Sequence, residues 1–267
     1  MSPIVAPVFA AGLLAFAGTA AAAREPCRGG ANALGTGRVL AVDAGTTHRV
    51  GRKHFPTTLP LRPREVVVTF DDGPWPATTP RVLEALRNEC VRATFFLVGR
   101  RAEAAPALVR RTAAAGHTVA THTYSHPLLN RMSLARAEAD IDRGIAAVGR
   151  ALGSAAGHRV APFFRFPGFA ATPRLLDRLA QRGIVVFGAD LWASDWLPMA
   201  PERELALVMQ RLHAAGGGIV LLHDTKAQTA AMLPSLLRTL KRDGYRIVHT
   251  VPSGQTSAAK PALGQHR

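Results

Sequence analysis

Residues 65–74 read Glu-Val-Val-Val-Thr-Phe-Asp-Asp-Gly-Pro, or EVVVTFDDGP. Val66 to Phe70 form a short apolar run rich in β-branched and aromatic side chains, the composition of a buried strand. Two adjacent carboxylates, Asp71 and Asp72, stand where the strand runs out, and Gly73 and Pro74 turn the chain at once. Similar runs recur at 93–98, 117–121, 162–166, 184–188, 218–222 and 245–249. Helical periodicity fills the intervals, at 80–89, 103–115, 133–152, and about 173–182, 201–214 and 230–242. Ser133 is a good N-cap, and Gly116, Gly183, Gly216 and Gly244 sit just past helices, where a left-handed C-cap is wanted. Seven strand-then-helix units imply a parallel sheet with helices packed outside it. That is one short of the number that closes a standard barrel, so a distorted or incomplete barrel fits. An open doubly wound sheet is the alternative. Gly216-Gly217-Gly218, however, precedes a strand, the wrong side for a phosphate loop.

Size and charge bound the function classes. The 267 residues are enough for one sizeable core, and a hydrophobic share of 48% excludes a disordered tail protein. Lysine and arginine outnumber aspartate and glutamate by 33 to 18, a net charge of +15. Such a charge draws the chain to polyanions: nucleic acid, anionic lipid or acidic cell-wall polymer. The basic residues are scattered and no nucleic-acid recognition motif accompanies them, so no nucleic-acid partner is expected. Residues 1–23 read as an export signal, with an apolar stretch at 4–16 and small residues at 19–23, although no Lys or Arg precedes the stretch. The expected location is periplasmic or secreted, with no stable membrane span after cleavage. Cys27 and Cys90 then allow one disulfide, a buried free thiol at Cys90 being the alternative. Residues 24–64 read as an extended segment packed along the domain through one added strand near 38–42, and the tail 252–267 as flexible.

The unusual polar residues share one kind of position. Asp71 and Asp72 follow the first strand, His122 and His126 (in THTYSHP) the third, and Arg165 (in FFRFPG) the fourth. Asp190 and Asp195 (in DLWASDW) follow the fifth, and His223 and Asp224 (in LLHDT) the sixth. In a barrel all of these C-terminal strand ends open onto one face, where catalytic sites are built. Two histidines with one carboxylate make a common catalytic zinc set that leaves a position for water. One Asp of the pair would then hold the metal and the other take the water's proton. Pro127 disfavours helix at His126, so a loop is expected there.

Taken together, TFDDGP, HTYSHP, RFPG, DLWASDW and LLHD resemble the polysaccharide deacetylase family, the carbohydrate esterases with a NodB homology domain. The motifs occur in the family's order across about 65–250, most of the mature chain. The resemblance implies an α/β fold, a distorted, TIM-like (β/α)7 barrel forming one catalytic domain over 65–251. It implies a divalent metal, usually Zn2+, and release of acetate from an N-acetylated glycan: peptidoglycan, chitin oligomer or poly-N-acetylglucosamine. Carried over by motif, Asp71 is the general base, Asp72, His122 and His126 hold the metal, and Arg165 orients Asp71. His223 is the general acid, paired with Asp195. The backbone N–H near Gly168 helps the metal hold the oxyanion, Pro167 beside it belongs to the substrate-binding set, and Trp196 and Leu221 line the acetyl pocket. Two departures stand out. Gly168 replaces the Tyr of many relatives, and the spacing in DLWASDW leaves both Asp190 and Asp195 as partners for His223.

Overall fold

The computed structural model describes residues 27–153 and 158–254. The expected export signal lies outside the described residues, as does the part of the expected tail 252–267 beyond residue 254. The first residue of that tail, Pro252, is instead the buried last residue of the final strand, Arg246–Pro252. Two strands precede the first of the sequence-predicted units, β1 (Thr36–Val42) and β2 (Arg49–Val50), where one was expected. Then follow β3 (Glu65–Asp71), α1 (Thr79–Asn88), β4 (Thr94–Leu97), α2 (Gly99–Ala104), α3 (Pro106–Ala114), β5 (Thr118–Thr121) and α4 (Leu134–Leu152). The second half holds β6 (Phe163–Phe164), α5 (Pro173–Gln181), β7 (Val185–Phe187), β8 (Leu191–Trp192), α6 (Pro201–Ala215), β9 (Gly218–His223), α7 (Ala227–Arg242) and β10 (Arg246–Pro252).

The strands β8-β9-β3-β4-β5-β6-β7 form one parallel arc. Every residue of β3 is buried, so both faces are covered, as a parallel sheet under helices requires. Its side chains alternate. Val66, Val68 and Phe70 pack outward with Leu83, Leu86, Leu233 and Leu237 of the helices. Val67 points inward to Phe96, Ala120, Phe163, Val185, Phe187 and Ile219, which fill the barrel. By the same alternation Thr69 and Asp71 continue the inward row, and Asp71 is its uppermost member.

The distortion lies at one seam. Among the described residues β7 pairs with β6 and β2, and β8 pairs with β9. The short strand β2 therefore fills the gap that an eighth unit would occupy, and Val50 joins the inner core. At the other end, β10 pairs with β3 only at Glu65 and Val66, and with β1 along its length. Thr250 of β10 bonds Thr94 and Thr118, the first residues of β4 and β5, so the β1–β10 pair closes the N-terminal mouth of the barrel. A disulfide joins Cys27 to Cys90, with Cα atoms 5.1 Å apart.

The segment expected as one helix over 103–115 is two, because Pro106 removes a backbone donor and restarts the helix as its first residue. Ser133 caps α4 by accepting from Arg136 N, and Gly216 closes α6 at φ 70°. Among the described residues no helix is long and apolar enough to cross a membrane.

Candidate active site

Asp71 ends β3, and Arg165 follows β6 on the same inner face. The Arg165 guanidinium is fully buried. It donates to Asp71 Oδ1 (2.7 Å), Thr69 Oγ1 (2.8 Å), the Gly188 carbonyl (2.8 Å) and the Phe187 carbonyl (3.2 Å), and lies over the Phe96 ring. Burial pulls its pKa down, and the Asp71 charge opposes that loss. Asp71 is thus fixed through one oxygen. Its Oδ2 lies 3.9 Å from His122 Nε2.

Asp72 begins the turn, with φ 77°, and the Gly73–Pro74 peptide is cis. Gly73 has no substitute here: a Cβ would sit 2.1 Å from a carboxylate oxygen of Asp224. The HTYSHP segment is a loop, as Pro127 required, with Thr123 and His126 at φ 66° and 64°. Left-handed backbone at non-glycine residues is costly, about 1–3 kcal/mol each where it is strained, and it gathers at functional sites. The loop is held by Asp140 of α4, which accepts from Tyr124 N, Ser125 N and Ser125 Oγ. Gly144, one turn on, lets α4 approach, since a Cβ there would meet the Thr123 carbonyl carbon at 2.5 Å.

Asp72, His122 and His126 offer ligand atoms that all lie within 4.8 Å of one another. His122 Nδ1 is 2.7 Å from the Arg165 carbonyl, so it carries the proton and Nε2 presents a lone pair. Burial lowers the pKa of this imidazole against the charges of Asp71 and Asp72, which keeps it neutral. Its Nε2 faces Asp72 Oδ1 at 3.6 Å, and His126 Nε2 faces the same oxygen at 3.0 Å. That oxygen is buried, yet it accepts no well-formed hydrogen bond. Burial pushes the Asp72 carboxyl up, but the contact with His126 and the imidazole charges of His122, His223 and His126 hold it well below the usual carboxylate range. An ionised, unsatisfied oxygen beside the His122 lone pair and the His126 imidazole is a donor set that a divalent cation satisfies. The residues present fit a metal.

His223 ends β9, the strand beside β3, in register with Asp71. Its Nδ1 lies 2.7 Å from Asp195 Oδ1, and its backbone N–H donates to Asp195 Oδ2 at 2.7 Å. Burial lowers the imidazole pKa, but the Asp195 hydrogen bond and charge outweigh it and raise the group to about 9. Asp190 takes no part in this pair. It accepts from Arg52 N (2.7 Å), Thr58 Oγ1 (2.8 Å) and Ile219 N (2.8 Å), tying residues 52–58 to β9 across the barrel seam. Asp224 turns the other way, accepting from Thr79 at the start of α1.

The rim is aromatic. Trp196 is 46% exposed and meets His223 edge-on with ring centroids 6.2 Å apart. Trp192 stands 6.1 Å from Trp196, under Lys53, and His54 stacks on Phe169 at 3.6 Å. Leu221 is buried on β9, two residues before His223 and so on the same face. Pro167 and Gly168 form a short 3-10 turn after Arg165, with Gly168 at φ 55°. Sequence reasoning singled out none of Thr69, Asp140, Lys53 or His54. Thr69 alone had a signal, as the residue two before Asp71 on an alternating strand.

Known proteins of one family resemble this chain. The family model described as polysaccharide deacetylase matches residues 59–187. A chitooligosaccharide deacetylase of Bradyrhizobium is 33% identical over 203 residues, covering 71% of this chain and 90% of that one. A peptidoglycan-N-acetylglucosamine deacetylase of Bacillus cereus is 32% identical over 198 residues, covering 71% and 88%. Among solved structures, a peptidoglycan deacetylase of Bdellovibrio bacteriovorus superposes with a TM-score of 0.74 at 27% identity. That match covers 89% of this chain and 65% of the other.

Proposed function

We propose, for a chain that belongs to the polysaccharide deacetylase family, that it is exported and removes N-acetyl groups from cell-wall glycan with the help of a divalent metal. Membership makes it a hydrolase of the carbon–nitrogen bonds of amino-sugar polysaccharides. The observation that carries the finer reading is the meeting of three units on one barrel face: the Asp72–His122–His126 set, the Asp71–Arg165 pair and the His223–Asp195 pair.

Asp72, His122 and His126 would hold the ion, zinc being the metal that two imidazoles and a carboxylate suit. Bound there, it would polarise the acetamide carbonyl and make water acidic enough to react near neutral pH. Asp71 takes the proton of the attacking water, with Arg165 fixing its other oxygen. The backbone N–H near Gly168 would donate to the oxyanion, where one well-aimed donor is worth about 3 kcal/mol. His223 donates a proton from Nε2 to the departing amine, because Nδ1 is committed to Asp195. Trp196 and Leu221 receive the acetyl methyl. Water and amide become acetate and free amine, and the chain's acid and base exchange protons for the next turnover. The net charge of +15 supports an anionic matrix such as peptidoglycan over neutral chitin oligomers.

The test is acetate release by the mature chain from peptidoglycan and from N-acetylglucosamine oligomers, with and without chelator. Metal-dependent acetate, faster from peptidoglycan, supports the reading. Metal-bound protein that releases acetate from neither points instead to an amidase on a non-sugar amide or to a glycan-binding protein.

A further inference from the structure

Thr229 stands behind the catalytic pair, between two carboxyl groups. This residue of α7 sets its hydroxyl 2.8 Å from Asp195 Oδ2 and 2.9 Å from Glu204 Oε1. Glu204 lies in the first turn of α6 and is fully buried. One hydroxyl carries one proton, and two carboxyl oxygens face it, so one carboxyl must supply a second. Asp195 is not the source. Both of its oxygens already meet N–H groups of His223 at 2.7 Å, as befits the anion of an ion pair. The remaining oxygen of Glu204, Oε2, is buried without a partner among the described residues, which a neutral carbonyl tolerates far better than a carboxylate.

The geometry points to Glu204 as a protonated positioning residue: its carboxyl donates to Thr229, Thr229 donates to Asp195, and Asp195 is thereby held against His223. The chain of contacts joins α6, α7, the loop after β8 and the end of β9, four separate parts of the fold. Arg211, the nearby cation of α6, does not compete, because it is committed to the Trp192 carbonyl and Ser194 Oγ. Burial, with the Asp195 charge added, pushes Glu204 up to about 7, against the Thr229 hydrogen bond and the His223 charge. Below that pH Glu204 is a neutral donor. Above it, its charge joins that of Asp195 beside His223 and holds the imidazole proton to higher pH.

The inference rests on the deacetylase reading for its kinetic assay but not for its geometry, so two readouts are needed. The metal-loaded full chain is titrated by NMR to follow the His223 imidazole, and kcat and KM are measured against pH on glycan. Glu204→Gln keeps a donor for Thr229 but cannot ionise, whereas Glu204→Ala removes the donor. Glu204→Ala is expected to lower kcat about tenfold at pH 6 with KM unchanged, and Glu204→Gln to restore it to within about threefold. In Glu204→Gln the His223 midpoint is expected to fall by about half a pH unit to one unit, because a neighbouring charge is gone. If Glu204→Ala does not fold, the near-isosteric glutamine variant still carries the test. A Glu204 carboxyl carbon that reads as ionised at pH 6 in the same NMR titration overturns the inference, as does a glutamine variant with kcat down tenfold at pH 6. Failure of the wild type to release acetate would remove the deacetylase reading alone, because the protonation of the Glu204 carboxyl at pH 6, read by NMR, still decides its role.

Discussion

Replacing Asp195 by asparagine should move the alkaline limit of activity by more than two pH units. In the native site burial depresses the His223 imidazole, and Asp195 more than restores it, from an ordinary 6.5 to about 9. At pH 8 a group with a pKa near 9 is about nine-tenths protonated, while one at 6.5 is about 3% protonated. The general acid is therefore lost roughly 30-fold at pH 8, and burial without its counter-charge lowers the imidazole further. Below pH 6 the loss is smaller, because the asparagine carbonyl still accepts from Nδ1. The assay is kcat/KM for acetate release between pH 5 and 10. A fall of the alkaline limb to 6.5 or below is expected, and a limb that stays near 9 refutes the pairing. Stability follows the same linkage. A folded-state pKa raised above the unfolded one stabilises fully below pH 6.5, and the gain is lost as pH rises through 9. The full gain is about 3 kcal/mol, since each tenfold change in proton affinity is worth about 1.4 kcal/mol.

Three further substitutions probe the frame. Arg165→Met strands Asp71 as a buried charge, so stability should fall by about 3–5 kcal/mol and Tm by about 10 °C in thermal denaturation, and an unchanged Tm would contradict the buried pair. Asp190→Ala should release residues 52–58: amide exchange at Arg52 and Ile219 should rise by at least about tenfold while the alkaline limb stays in place, since Asp190 does not touch His223. His126→Ala should weaken metal binding in calorimetry by at least about 100-fold, and undiminished affinity would exclude His126 as a ligand.

Much of the fold was legible because its strands are short, apolar and bounded by turn residues, and each functional side chain ends one of them. Asp71, His122, Arg165 and His223 could be placed on one face from that alone. The seam was not legible, since Arg49–Val50 is too short to show any period, and its pairing with Val186 and Phe187 spans more than a hundred residues. The two aspartates of DLWASDW could not be told apart for the same reason. What separates them is that Arg52 and Thr58 reach Asp190 while Asp195, in the loop after β8, reaches His223 at the end of β9. Glu204 and Thr229 looked like ordinary residues of amphipathic helices, and only the packing of α6 against α7 brings them to the acid. Asp140 was hidden in the same way, as a helix residue whose partners lie in the HTYSHP loop.

The most direct test of the two-carboxylate mechanism is Asp71→Asn, measured for acetate release and for bound metal in the same preparation. If Asp71 is the base and Asp72 the ligand, turnover should drop by about 10²–10⁴-fold while metal content stays at the wild-type level. Near-normal turnover, or loss of the metal together with activity, would contradict that division of labour between the two neighbouring aspartates.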